Sequence, residues 1–146
     1  MKSLVLVLAL ILAAPRVDAV GERITTKTFD GIVVYPGGKA ETKYWWIPER
    51  RHVFEAEAAL AAAVSKSSIR DTRVGKELAR YKRQYQPVRR GAERRIAIFG
   101  FHDSQVADGR WLRQPLVVNG GGDLFFVATY SLDTRSILSM RINAPK

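Results

Sequence analysis

The chain has 146 residues, 24 of them Lys or Arg and 14 Asp or Glu, giving a formal charge of +10 with 47% apolar residues and no cysteine. That length allows one small globular domain, and the apolar and charged shares fit neither intrinsic disorder nor a multi-span membrane protein. Without cysteine there is no disulfide, thiol nucleophile, cysteine-ligated zinc or iron–sulfur cluster, so stability has to come from a packed core.

The N-terminus has the pattern of a secretion signal. Lys2 gives a positive start, Leu4 to Ala14 form an uncharged apolar run, and Val17-Asp18-Ala19 places short side chains where a signal peptidase cuts. The run is about half the length needed to span a bilayer, and Pro15 prevents its continuation as a helix. Residues 1–19 are therefore expected to be removed, leaving one α+β domain over 20–146 that is exported to the periplasm or secreted. Losing Lys2, Arg16 and Asp18 leaves a net charge of +9, so the basic excess belongs to the folded part.

Ile24, Thr26, Thr28 and Ile32 to Val34 favour strands, and Asp30-Gly31 between them is a two-residue turn signal, which predicts an N-terminal β-hairpin ended by Pro36-Gly37-Gly38. Pro48 and Glu49 suit a helix start, six alanines follow at 56, 58, 59, 61, 62 and 63, and Val53, Ala56, Leu60, Ala63 and Val64 fall on one face. From Tyr81 the pattern becomes one of strands. Tyr81, Arg83 and Tyr85 alternate, Arg89-Arg90-Gly91 is a turn, Arg95 to Phe101 is rich in Ile and Phe, and Trp111 is expected to open a strand that runs to Val118. Leu124 to Tyr130 is aromatic and β-branched, and Leu138, Met140 and Ile142 alternate with polar residues. The expected architecture is α+β: an N-terminal β-hairpin and one amphipathic helix packed on a four-stranded antiparallel meander, an order of elements shared with cystatin-like folds by analogy.

Catalytic residues are scarce. The histidines are His52, expected at a surface or capping position, and His102, expected in a solvated loop. His102-Asp103-Ser104 has the composition of a hydrolytic triad, but neighbouring side chains on a loop diverge, and a triad is defined by geometry. An enzyme would need His102 to converge with a carboxylate and a hydroxyl. Glu55 and Glu57 face different sides of the helix, no His, Asp or Glu cluster has metal-ligand spacing, and the glycines at 120–122 lead into a strand and not into the helix that a phosphate loop requires. No metal or cofactor is expected.

The basic residues carry more information. Arg80, Lys82, Arg83, Arg89, Arg90, Arg94 and Arg95 crowd one hairpin, interleaved with Tyr81 and Tyr85, a pattern suited to phosphates or carboxylates of a polyanion and equally to a solubilised, protected sheet edge. Arg80, Lys82, Arg83, Tyr85, Arg89, Arg90 and Arg94 are the candidate ligand-binding set. Export makes nucleic acid an unlikely partner, and favours lipid head groups, wall polymer or an acidic protein. Tyr44-Trp45-Trp46 is a second candidate surface, with at least one tryptophan expected in the core.

Tyr81-Lys82-Arg83-Gln84-Tyr85, Arg94-Arg95-Ile96-Ala97-Ile98, Trp111, Gly121-Gly122-Asp123-Leu124-Phe125-Phe126 and Arg141-Ile142-Asn143-Ala144 together resemble a group of small, uncharacterised exported bacterial proteins. The likeness runs from about Trp46 to Ala144. It implies a bacterial origin and assigns no activity, cofactor or catalytic residue; members of such a group often carry a cysteine around the central strands, which this chain lacks. The function expected is therefore that of a non-enzymatic binding domain for an anionic envelope partner. The alternative is an inhibitor or accessory protein that meets another exported protein through loop 102–109.

Overall fold

In a computed structural model, residues 20–35 and 38–145 are described. The expected leader, 1–19, and the expected break at 36–37 lie outside them. Six strands form one sheet in sequence order: β1 (Val20–Thr25), β2 (Asp30–Val34), β3 (Tyr81–Arg90), β4 (Glu93–His102), β5 (Phe125–Ser131) and β6 (Ser136–Ile142). Neighbours are antiparallel except β2 and β3, which run parallel. Parallel neighbours need a long crossover, and residues 35–80 supply it through helix α1 (Arg50–Ser65) and a short helix α2 (Arg73–Lys76).

The class is α+β, with the antiparallel run β3 to β6 that the alternation predicts. The rest of the arrangement differs from expectation: the N-terminal hairpin joins the same sheet, which is mixed and six-stranded, and the helix sits inside a β–α–β crossover, unlike the simple cystatin-like layout. Every residue of β2 is buried. Val33 belongs to the core under α1, while Ile32 and Val34 belong to a second cluster on the opposite face. A strand covered on both faces belongs in the interior of a sheet, not in a free hairpin.

Two local expectations also change. The turn between β1 and β2 is Thr26 to Phe29, where the Thr26 hydroxyl accepts from the Thr28 and Phe29 N–H groups; Asp30-Gly31 lies within β2. Trp111 to Val118 forms no strand. Arg110–Leu112 is a 3₁₀ turn, and the segment crosses the sheet face opposite α1. The buried Gln84 amide satisfies its backbone, donating to the Trp111 and Gln114 carbonyls at 2.6 and 2.7 Å and accepting from Leu116 N–H at 2.8 Å. One side chain thus replaces the ladder a neighbouring strand would have supplied.

Helix α1 buries His52, Val53, Ala56, Glu57, Leu60 and Val64, close to the predicted stripe. His52 caps it, its Nδ1 accepting from Glu49 N–H at 2.9 Å. Burial holds this imidazole below its usual pKa, which keeps Nδ1 free to accept. Trp46 is fully buried, as expected for one tryptophan of the aromatic run, and its indole N–H donates to the Arg95 carbonyl at 2.9 Å.

Asp30 ties three strands together. It accepts from Arg23 Nε and Nη2 at 3.0 and 2.8 Å, from Thr25 Oγ1 at 3.0 Å and from Lys82 Nζ at 3.0 Å. Burial pushes its carboxyl up, but Arg23, Lys82 and Thr25 outweigh burial and hold it down at about 2, against an ordinary 3.8. Because the folded value is the lower, the contribution is complete above the unfolded value and is lost as pH falls towards 2, and amounts to about 2 kcal/mol. Denaturation midpoints of Asp30→Asn and the parent are expected to differ clearly at pH 6 and to converge only at about pH 2 and below. A gap that persists in acid would assign the effect to shape rather than charge.

Candidate functional site

Strand register divides the seven candidate residues into two groups. At the root of the β3–β4 hairpin the cations are neutralised. Arg80 grips Asp103, with Nη2 to Oδ1 at 2.9 Å and Nε to Oδ2 at 3.2 Å, and stands 3.7 Å from Glu77. Lys82 is held by Asp30. Arg83 is 1% exposed, and its Nε lies 2.7 Å from Glu57 Oε1, with the N–H misaligned for a hydrogen bond. Its Nη1 donates to the Leu78 and Tyr81 carbonyls. Tyr85 is also fully buried, donating to Glu57 Oε1 at 2.7 Å. Arg83 and Tyr85 are therefore core residues.

Glu57 escapes a local reading because its partners lie about a crossover away in sequence. A signal is nevertheless present. Glu57 falls within the stripe running through Val53, Leu60 and Val64, and Arg83 alternates in phase with Tyr81 and Tyr85. A carboxylate and a guanidinium on two facing apolar surfaces are each other's natural partner.

At the tip the cations remain available. Arg89 and Arg94 stand directly opposite each other, as do Arg90 and Glu93. Two like charges across a strand pair repel, and among the described residues no carboxylate within 4 Å pairs with Arg90, Arg94 or Lys43. Among the described residues Arg89 meets Glu41 alone, at 4.0 Å on the surface, where an ion pair is worth little.

The fold brings the aromatic run to this tip. Arg89 N–H donates to the Tyr44 carbonyl at 2.7 Å, so Tyr44 continues the edge of β3. Thr42 Oγ1 fixes the turn by accepting from Tyr44 and Trp45 N–H groups at 3.1 Å. Arg94 lies over the Trp46 ring at 5.3 Å, and Lys43 over the Tyr44 ring at 4.9 Å. An open cleft of about 360 Å³ is lined by Glu41, Thr42, Lys43, Arg89 and Gly91. Tyr44, 58% exposed, stands beside it. The two candidate surfaces of the sequence thus meet at the hairpin tip, where Arg89 and Arg94 share one face with Lys43 and Tyr44 close by, while Arg90 alternates to the other face beside Glu93.

The other end of the hairpin holds His102, which is 4% exposed and not in a solvated loop. Its Nδ1 is 2.7 Å from Ser104 Oγ and its Nε2 is 2.8 Å from Glu77 Oε2. Asp103, the neighbouring acid, stands 3.4 Å from Nδ1 but is hydrogen-bonded by Arg80, which holds its carboxyl below the usual range.

No family model matches the chain, and no curated protein or solved structure is significantly similar to it. Among the described residues no helix is long and apolar enough to cross a membrane.

Proposed function

We propose that the protein is an exported binding domain for an anionic partner of the cell envelope, and that the tip of the β3–β4 hairpin is its contact surface. The observation that carries this reading is the facing pair Arg89 and Arg94, whose nearest carboxylate is Glu41 at 4.0 Å from Arg89, with Lys43 and Arg89 lining the cleft beside Tyr44. Like charges held side by side in a folded protein raise its energy, and an anion between them removes that cost. The cleft is shallow and open, which suits a phosphate or carboxylate carried on a polymer or head group.

The purified protein is expected to sediment with phosphatidylglycerol vesicles or retain soluble polyphosphate at low salt and to release either at high salt. The pair of substitutions Arg89→Gln and Arg94→Gln is expected to weaken binding at least about tenfold, since each removes a direct charge contact worth about 1 kcal/mol or more. Arg70→Gln with Arg135→Gln, equal in charge but elsewhere, should leave most of it. Binding that ignores salt, or that survives loss of Arg89 and Arg94, overturns the reading.

Loop 102–109 supports a second reading, an inhibitor or accessory protein acting on another exported protein. Val106 anchors the loop in the core while Ser104, Gln105, Ala107 and Asp108 stay exposed. A complex that resists salt and disappears when this loop is shortened would favour it over the anionic patch.

A further inference from the structure

We propose that Ser104 is an activated nucleophile, with His102 as its base and Glu77 as the group that orients the imidazole, in a site that cleaves a small carboxylic ester. The site goes beyond anion binding and is separate from it: nine strand positions, about 30 Å, lie between the two ends of the hairpin.

The geometry assigns the protons. A carboxylate accepts hydrogen bonds and does not donate them, so the bond from Nε2 to Glu77 at 2.8 Å places the ring proton on Nε2 and the lone pair on Nδ1. The Ser104 hydroxyl, 2.7 Å away, then donates to Nδ1. The other groups near Nδ1 are weaker competitors. Ser104 N–H, a second donor, stands at 3.4 Å; Asp103 Oδ1, also at 3.4 Å, is an acceptor that makes no hydrogen bond to the ring and is engaged by Arg80. Glu77 is steadied in turn by Arg80, and the His102 ring is wedged edge-on against Tyr81, with centroids 5.2 Å apart. A turn cap uses only the Ser104 N–H; it does not require a carboxylate delivered from 25 residues away to fix the far side of the ring.

Space for a substrate lies next to the serine, across Gln105. Ser104 is exposed, and the Gln105 side-chain amide, 3.3 Å from its Oγ, lines an adjoining cleft of about 510 Å³ with Arg110, Val118, Leu124 and Phe125. Its walls are mixed, with Val118, Leu124 and Phe125 offering an apolar side for a short acyl chain and Arg110 and Asn119 a polar one, and the amide is a donor for an oxyanion. In the reaction Ser104 Oγ bonds to the carbonyl carbon of the ester as its proton passes to His102 Nδ1. The tetrahedral oxyanion then collapses, breaking the bond to the alkoxide, which leaves with the proton from Nδ1. Water attacks the acyl-serine, gives a proton through Nδ1 back to Ser104 Oγ and releases the acid.

The test is covalent. A fluorophosphonate probe is expected to label the purified protein at Ser104, located by peptide mass spectrometry, and 4-nitrophenyl butyrate is expected to be hydrolysed. Ser104→Ala, an exposed change that leaves the fold and the binding of phosphatidylglycerol vesicles intact, should abolish both. Glu77→Gln should slow labelling by about tenfold or more and His102→Ala by about a hundredfold or more. If His102→Ala does not fold, the wild-type label and the Ser104 and Glu77 variants still decide. Absence of label at Ser104, or a label formed as fast in Glu77→Gln as in the parent, overturns the proposal.

Discussion

Replacing Arg83 by methionine is expected to destabilise the fold by about 3–5 kcal/mol, because it leaves the Glu57 carboxylate buried without its counter-charge. The packing loss is small, since methionine fills most of the same volume. What changes is electrostatic. Burial already pushes the Glu57 carboxyl above its ordinary 4.5, and Arg83 followed by Tyr85 opposes that shift. Without Arg83 the folded-state value rises further. A carboxyl whose folded value exceeds its unfolded one favours folding in acid, where it is neutral, and loses that advantage as pH rises past 4.5. The penalty of Arg83→Met, measured by urea denaturation, should therefore be full at pH 8 and clearly smaller at pH 4, where the cost of the Leu78 and Tyr81 carbonyls that lose their donor remains. Adding Glu57→Leu should recover much of it, as apolar replacement of a whole buried pair is often neutral or better. An equal penalty at both pH values would place the cost in packing.

The same residue shows why part of this molecule is legible in its sequence and part is not. Helix α1 and strands β5 and β6 declare themselves through local periodicity: Val53, Ala56, Leu60 and Val64 in one case, Met140 and Ile142 in the other, although a register shift puts Ile137 on the core and leaves the expected Leu138 exposed. Those patterns depend on neighbours within a turn or two. The seven hairpin cations look equivalent by the same local measure, yet four are balanced by close carboxylates: Arg95 by its neighbour Glu93, and three others by acids at positions 30, 57 and 103 that only the sheet and crossover bring close. The pairing of Glu77 with His102 is likewise invisible in spacing, since it depends on the turn before β3 meeting the end of β4. Short motifs mislead for a related reason. His102-Asp103-Ser104 suggests an acid at its centre, whereas the acid on the imidazole comes from a different segment.

Gly31→Ala is expected to cost about 3 kcal/mol or more, although the sequence presents this glycine as a turn residue whose replacement is mild. In the fold Gly31 is a strand residue in register with Arg83 and opposite Ile24, and its backbone is not left-handed. Its lack of a side chain serves a close approach instead. A methyl group there would lie 2.3 Å from Cε2 of Tyr85 and 2.7 Å from the phenol oxygen. That ring has nowhere to go: Tyr85 is fully buried and its hydroxyl is held by Glu57, which is itself held by Arg83. Relief therefore requires breaking the buried polar cluster or displacing β2 from β3. Gly91 is the internal comparison. It is the true turn glycine between β3 and β4, with φ of 62° and open space where a methyl would stand, so Gly91→Ala costs only left-handed strain of about 1–2 kcal/mol. Melting both variants beside the parent separates the two roles of glycine. A larger loss for Gly31→Ala, accompanied by changed near-ultraviolet signal from Tyr85, locates the strain at the ring; equal losses would return Gly31 to the turn that its dipeptide suggests.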